Sequence, residues 1–388
     1  MAQAKRKQVR IDRFEIDPWL LGSAVAIATL GIVMVASASV AIAEKSELPV
    51  YYFALKHLVA LGLGIGLAWL ATRIPLDNLE KAGPLLLPVA IVALLLVFLP
   101  GLGHTVNGAT RWVNLGFMQF QMVEAVKILF ILFLAAHLVR HQEQVTTSFR
   151  GVLIPCAIAG FIAALLLGQP DFGGAVLILA TAGTLLWLVG ARFRDLASLG
   201  LMTVPVMVWL ALSESYRLRR LRSFLDPWAD PFNEGFQLAQ ALIAVGRGEL
   251  FGVGLGGSVQ KLFYLPEAHT DFILAVLAEE LGFVGIVLVL AAYGVLVGRG
   301  MLIGMRATEM GRPFVGLVAW GLSALLGMQA VISIGVNLGV LPTKGLTLPL
   351  ISSGGSSVMM SALTIGLLLR CAAETAAEGK ALDAQVAT

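Results

Sequence analysis

The run LLGSAVAIATLGIVMVASASVAIA, Leu20 to Ala43, carries no charged side chain, and neither does Gly83 to Gly103. A bilayer core needs roughly 20 consecutive apolar residues in a helix. Both runs reach that length, and neither alternates in and out as a barrel strand would. Hydrocarbon offers no water to backbone N–H and C=O groups, so only helices and closed barrels cross it. Each run is therefore read as a helix. Working outward from the first, the same reading predicts ten spans, near 19–43, 54–72, 84–100, 119–138, 151–168, 173–190, 196–213, 271–297, 313–338 and 355–373. The fold class expected is all-α, a polytopic membrane protein with ten transmembrane helices. Glycines inside several spans suit close helix packing. Ala36-Ser37-Ala38 imitates a signal-peptide cleavage site, but the apolar run before it is too long for one. The first span is read as a retained anchor.

Composition agrees. Of 388 residues, 58% are hydrophobic and 13% charged, where a soluble domain carries about 25% charged. A net charge of +3 gives no reason to expect nucleic acid. Cys156 and Cys371 lie in or at the end of apolar spans without metal-ligand spacing, and read as buried small side chains.

Lysine and arginine placement orients the chain. With the N-terminus inside, cytoplasmic segments hold sixteen of these residues and the short outer loops four: Lys45, Lys56, Arg111 and Lys344. The expected topology is N-in/C-in, with a large extracytoplasmic loop, 214–270, between helices 7 and 8. Residues 1–18 form a basic cytoplasmic tail, 19–375 one transmembrane domain and 376–388 a second tail. Within the long loop, Tyr216 to Arg222 is strongly basic, and Phe232 to Ala241 reads as an amphipathic helix at the interface. Long loops of this kind are functional or disordered, and the tryptophan and apolar residues here argue for function.

Four stretches could carry chemistry. In Leu265-Pro-Glu267-Ala-His269-Thr270-Asp271, two carboxylates and a histidine precede the eighth span, and Glu279 and Glu280 lie inside it. Charge within a span points to function by default. The plain alternative is that Thr270 or Asp271 caps the helix, though a cap needs neither Glu267 nor His269. In Asn107-Gly-Ala-Thr-Arg111-Trp112, the arginine could hold a phosphate or sit in an interfacial belt. Glu124 and Lys127 are three apart on one helix and can pair, as a structural ion pair or facing substrate. Asp171, in Gln169-Pro-Asp171-Phe-Gly-Gly, is placed to cap the sixth span. Finally, Pro342-Thr-Lys344-Gly runs on to Ser352-Ser353-Gly-Gly-Ser356-Ser357. Broken backbone there suits a cavity wall, and the N–H groups opening the tenth span suit an anion. Gly252-Val-Gly-Leu-Gly256-Gly imitates a phosphate loop but follows no βαβ strand, so turn flexibility is the better reading.

At these residues the chain resembles the SEDS family (shape, elongation, division and sporulation), from the first span to the tenth. Leu265 to Gly282 and Pro342 to Ser357 carry the resemblance most specifically, and Pro342-Thr-Lys-Gly resembles the division branch more than the elongation branch. Met122-Val123 stand where the family usually shows Pro-Ser, and Ser353 where it usually shows tyrosine. The resemblance implies a peptidoglycan glycosyltransferase using lipid II, with the family's essential outer-side aspartate falling on Asp271. It implies a class B penicillin-binding protein as partner, alongside other division proteins of the bacterial inner membrane at the septum.

The expected mechanism makes Asp271 a general base on the acceptor sugar hydroxyl. The growing strand, on undecaprenyl pyrophosphate, is the donor. Arg111, Lys344 and the run Arg217 to Arg222 would take the pyrophosphate charge. Glu267, His269, Glu124, Lys127, Ser352 and Ser356 are further candidates for substrate contact. A divalent cation, Mg or Mn, could share the charge, although no cluster marks a metal site. Two rivals use the same residues differently: a lipid II flippase, and a non-catalytic division scaffold.

Overall fold

The computed structural model describes residues 14–99, 101–106, 109–114, 116, 119–213, 215–233, 235–343 and 345–386. The helices run in the order α1 (Pro18–Ala38), α2 (Val40–Lys45), α3 (Tyr52–Arg73), α4 (Leu76–Leu96), α5 (Met122–Arg140), α6 (Gln142–Thr147), α7 (Phe149–Gly168) and α8 (Phe172–Leu188). Then come α9 (Phe193–Ser213), α10 (Ser215–Leu225), α11 (Phe236–Arg247), α12 (Ile273–Glu309), α13 (Pro313–Asn337) and α14 (Gly355–Val386). Among the described residues, nine helices are long and apolar enough to cross a membrane, and α8 is a shorter apolar helix of 17 residues.

The expectation of an all-α chain needs one correction. Strands β1 (Gly103–Val106), β2 (Ala109–Asn114) and β3 (Gln119–Gln121) form a three-stranded antiparallel sheet between α4 and α5. Thr105 to Asn114 contains β-branched and aromatic residues around an Asn-Gly pair, the strongest short hairpin signal. Asn107 and Gly108 lie outside the described residues. The predicted tail at 376–388 is also helical, as far as Val386.

Burial separates core helices from peripheral ones. In α14, 94% of the apolar window is buried, against 6% in α9. Small residues bring α14 onto α3: a side chain on Gly366 would stand 2.5 Å from the Ala68 backbone. Such contacts drive helix association where lipid is as apolar as leucine. At one end of the bundle, Arg312 bridges Asp77, Glu374 and Glu378, which ties α4, α13 and α14 together.

The eighth predicted span differs most from its reading. Its helix begins at Ile273, and its backbone breaks at Gly282, with φ 67° and ψ −163°. This is a left-handed φ that glycine adopts without steric cost. A break inside a bundle leaves backbone groups unpaired, which costs several kcal/mol each in hydrocarbon, on the order of 2–7. Here the segment 249–254 supplies the partners. Val253 N and Gly254 N donate to the carbonyls of Glu279 and Glu280, while Phe283 N and Val284 N donate to those of Glu249 and Leu250. Gly252, at φ 79°, lies so close that a Cβ would be 2.1 Å from the Glu280 carbonyl oxygen. The glycine-rich stretch therefore mends a broken helix by close backbone approach, a tighter requirement than turn flexibility.

Candidate active site

At the end of the bundle where α3 and α12 begin, a cavity of about 1110 Å³ opens. Its walls come from the first turns of α3, from β2, from α10, and from the segments 266–272 and 342–357. Asp271 lies on this wall, two residues before α12.

The main chain at 269–271 is clamped from behind. Ser353 N donates to the His269 carbonyl at 2.9 Å. Ser352 Oγ donates to the Thr270 carbonyl at 2.7 Å, and Asn337 Nδ2 to that of Asp271 at 2.9 Å. Asn337 Oδ1 also accepts from Ala275 N at 3.1 Å, so it caps α12 from a neighbouring helix. Thr270 and Asp271 do not cap it: Thr270 Oγ1 donates instead to Glu267 Oε2 at 2.7 Å. Glu267 itself has φ 56°. A non-glycine residue held there stores about 1–3 kcal/mol of strain, and the Thr270 contact helps hold it.

Among the described residues no group hydrogen-bonds the Asp271 carboxylate. Burial pushes its pKa up to about 6, and the negative charge of Glu267 adds to the rise. Arg220 and Arg111 act in the opposite direction. Arg111 donates Nε to the Gln169 carbonyl at 3.1 Å and Nη2 to that of Pro170. Those contacts fix its direction and leave Nη1 for a ligand. Burial lowers the pKa of His269, whose ring packs at 5.1 Å on Phe53. The result is a carboxylate whose proton affinity is raised by burial, in one cavity with the guanidinium groups of Arg111 and Arg220.

Arg111, Glu267, His269, Asp271 and Ser356 line this one cavity. Ser352 stands behind it as a clamp. Glu124 and Lys127 do not line it: they pair at 2.9 Å, buried, and Lys127 also donates to Gln329 Oε1 at 3.0 Å. Gln329 in turn donates to the Thr347 carbonyl, so the pair holds α5, α13 and the 342–357 segment together. Lys344 lies outside the described residues. Asp171 caps α8, accepting from Gly174 N at 3.0 Å. The sequence reading gave no role to Asn337, Gln329 or His57. A polar side chain inside an apolar span was the available signal for each.

Among the described residues, no group of three or more His, Cys, Asp or Glu side chains is arranged to hold a metal. The FtsW/RodA/SpoVE family model, described as "Cell cycle protein", matches residues 18–377. The chain belongs to that family. It is 50% identical over 376 residues to a probable peptidoglycan glycosyltransferase FtsW of Xanthomonas oryzae pv. oryzae, covering 96% of this chain and 76% of that one. A relative with the same name from Coxiella burnetii is 48% identical over 360 residues, covering 92% and 96%. Among solved structures, a chain of a peptidoglycan synthase complex superposes with a TM-score of 0.74 at 30% identity, covering 92% of this chain and 97% of its own. The rod shape determining protein RodA of Thermus thermophilus gives 0.67 at 30% identity, covering 92% and 96%. In this FtsW/RodA/SpoVE chain, the cavity with Asp271 is the candidate active site.

Proposed function

We propose that this protein is a peptidoglycan glycosyltransferase that polymerises lipid II into glycan strands during septal wall synthesis. The single observation that carries the reading is the free, partly buried Asp271 carboxylate facing cations in one large cavity. The similarity to FtsW relatives at about half identity over most of the chain supports it.

In the proposed reaction, lipid II presents a sugar hydroxyl near Asp271. The carboxylate takes the hydroxyl proton as the oxygen attacks the anomeric carbon of the donor strand. The new glycosidic C–O bond forms as the bond to the lipid pyrophosphate breaks, and the pyrophosphate leaves with the electron pair. One displacement inverts the anomeric centre. Arg111 and Arg220 receive the charge. A divalent cation would suit the Glu267 carboxylate together with the substrate phosphates, since magnesium takes one or two carboxylates plus phosphate oxygens. It would supply further positive charge to the pyrophosphate.

The reading places α8 among ten spans, with both termini in the cytoplasm, the 214–270 loop and the cavity outside, and the chain at the division septum. A class B penicillin-binding protein is the proposed partner, supported by the likeness to a chain of a peptidoglycan synthase complex. A flippase would need charges free for cargo in mid-bundle. Instead Glu124 pairs with Lys127, and Glu280 with Lys261 at 2.7 Å. The test is reconstitution of the full chain with its transpeptidase in liposomes holding lipid II. Polymer of many disaccharides is expected. Lipid II crossing the bilayer without polymer would overturn the proposal.

A further inference from the structure

Helix α3 enters the cavity wall with Phe53, Lys56 and His57, spaced so that they share one helix face. His57 is 3% exposed. Both of its ring nitrogens are buried without a hydrogen-bond partner among the described residues. Buried polar groups are nearly always paired, and each unpaired one asks for an explanation. Among the described residues no helix cap, ion pair or backbone group uses this ring. By contrast, the buried side chains of Ser352, Asn337 and Gln329 each hold a backbone carbonyl. The Nδ1 atom of His269, whose ring packs on Phe53, is likewise without a partner among the described residues. Two imidazoles with unused hydrogen-bonding capacity thus line the same cavity.

A neutral imidazole offers one N–H donor and one lone pair. The two nitrogens point away from each other, so a single polar group meets only one of them: a sugar hydroxyl, or the N–H or C=O of an N-acetyl group. Anionic groups have better sites on the other walls, at Arg111 and Arg220. Lys56, the residue before His57, is exposed and lines the same cavity.

We infer that His57 is a substrate-binding residue, hydrogen-bonding a hydroxyl or N-acetyl group of the lipid-linked sugar through one of its unpartnered ring nitrogens. This rests on the glycosyltransferase reading above. His57→Phe keeps the ring volume and removes the polar atoms, while His57→Gln keeps one donor and one acceptor. Steady-state polymerisation of lipid II is measured for both in the full chain with its transpeptidase, beside Asp271→Ala and a thermal melt of each. The Phe variant is expected to raise KM for lipid II about tenfold, the equivalent of one lost hydrogen bond, with kcat changed much less. Its Tm is expected to hold or rise, because a buried unpaired group has gone. The Gln variant is expected to recover most of the KM. Wild-type KM in the Phe variant would overturn the inference. So would equal losses in both variants with lowered Tm, which mark a packing role. If Asp271→Ala makes normal polymer, the glycosyltransferase reading of the site fails, whatever His57 does. If Asp271→Ala is inactive and His57→Phe is wild-type, only the His57 inference fails.

Discussion

Asp271→Asn lowers the rate of glycan polymerisation by roughly 10²–10⁴-fold, the range that a positioned general base contributes. The amide is nearly isosteric but cannot accept the hydroxyl proton. Folding should survive the change. The fold holds this residue through its main-chain carbonyl, bound to Asn337 Nδ2, and among the described residues nothing hydrogen-bonds the carboxylate. The substitution also removes a partly desolvated charge beside Glu267. The Tm should therefore hold or rise while activity collapses. Purified wild type and variant, each with the transpeptidase, are compared by polymer length on gels. Full-length polymer at the wild-type rate would remove Asp271 from the reaction.

Glu279→Ala has the second largest expected effect, and it acts on stability. The Glu279 carboxylate is fully buried. It accepts from Arg247 Nη1 at 3.0 Å, Ser258 Oγ at 2.5 Å, Val259 N at 3.1 Å and Gln260 N at 3.3 Å. Truncation strands buried donors that have no water to turn to. Breaking such a set costs about 3–5 kcal/mol. The loss falls on the segment that mends the Gly282 break, so the 249–261 region loosens first. Protease cleavage within that region and a clearly lower Tm are expected. Polymerisation should weaken as well, because Asp271 precedes the same helix. Glu279→Gln, which keeps one acceptor, should lie between wild type and Ala. An unchanged melting curve in the Ala variant would show that the cluster contributes little.

Much of this architecture is legible in sequence because hydrocarbon imposes a blunt rule. Uncharged runs such as Leu20 to Ala43 must be helices there, and most span limits lie within a few residues of the helices found. The broken helix at Gly282 is not legible, because its hydrogen bonds go to residues some 30 positions earlier. The sheet between α4 and α5 has a hairpin signal in Asn107-Gly108, but its strands are short, and β3 (Gln119–Gln121) falls where the apolar run of the fourth span begins. The site divides in the same way. Glu267, His269 and Asp271 stand out as polar residues clustered before a span. Glu124 and Lys127 look equally functional in sequence, and only the third partner, Gln329 on α13, reveals a structural knot. Arg220 was visible merely as one member of a basic run. Its approach to Asp271 depends on how α10 folds back over the cavity.

Asp271 acts in the proposed reaction as a base whose pKa is set by its surroundings. The most direct test is the pH dependence of kcat/KM for lipid II polymerisation between about pH 4.5 and 8, in wild type and in Glu267→Gln. A carboxylate base works only when ionised, so activity should rise with pH through an apparent pKa of about 6. Removing the negative charge of Glu267 should make ionisation easier and move that limb to lower pH. A profile flat through pH 6, or a limb that ignores the loss of Glu267, would contradict it.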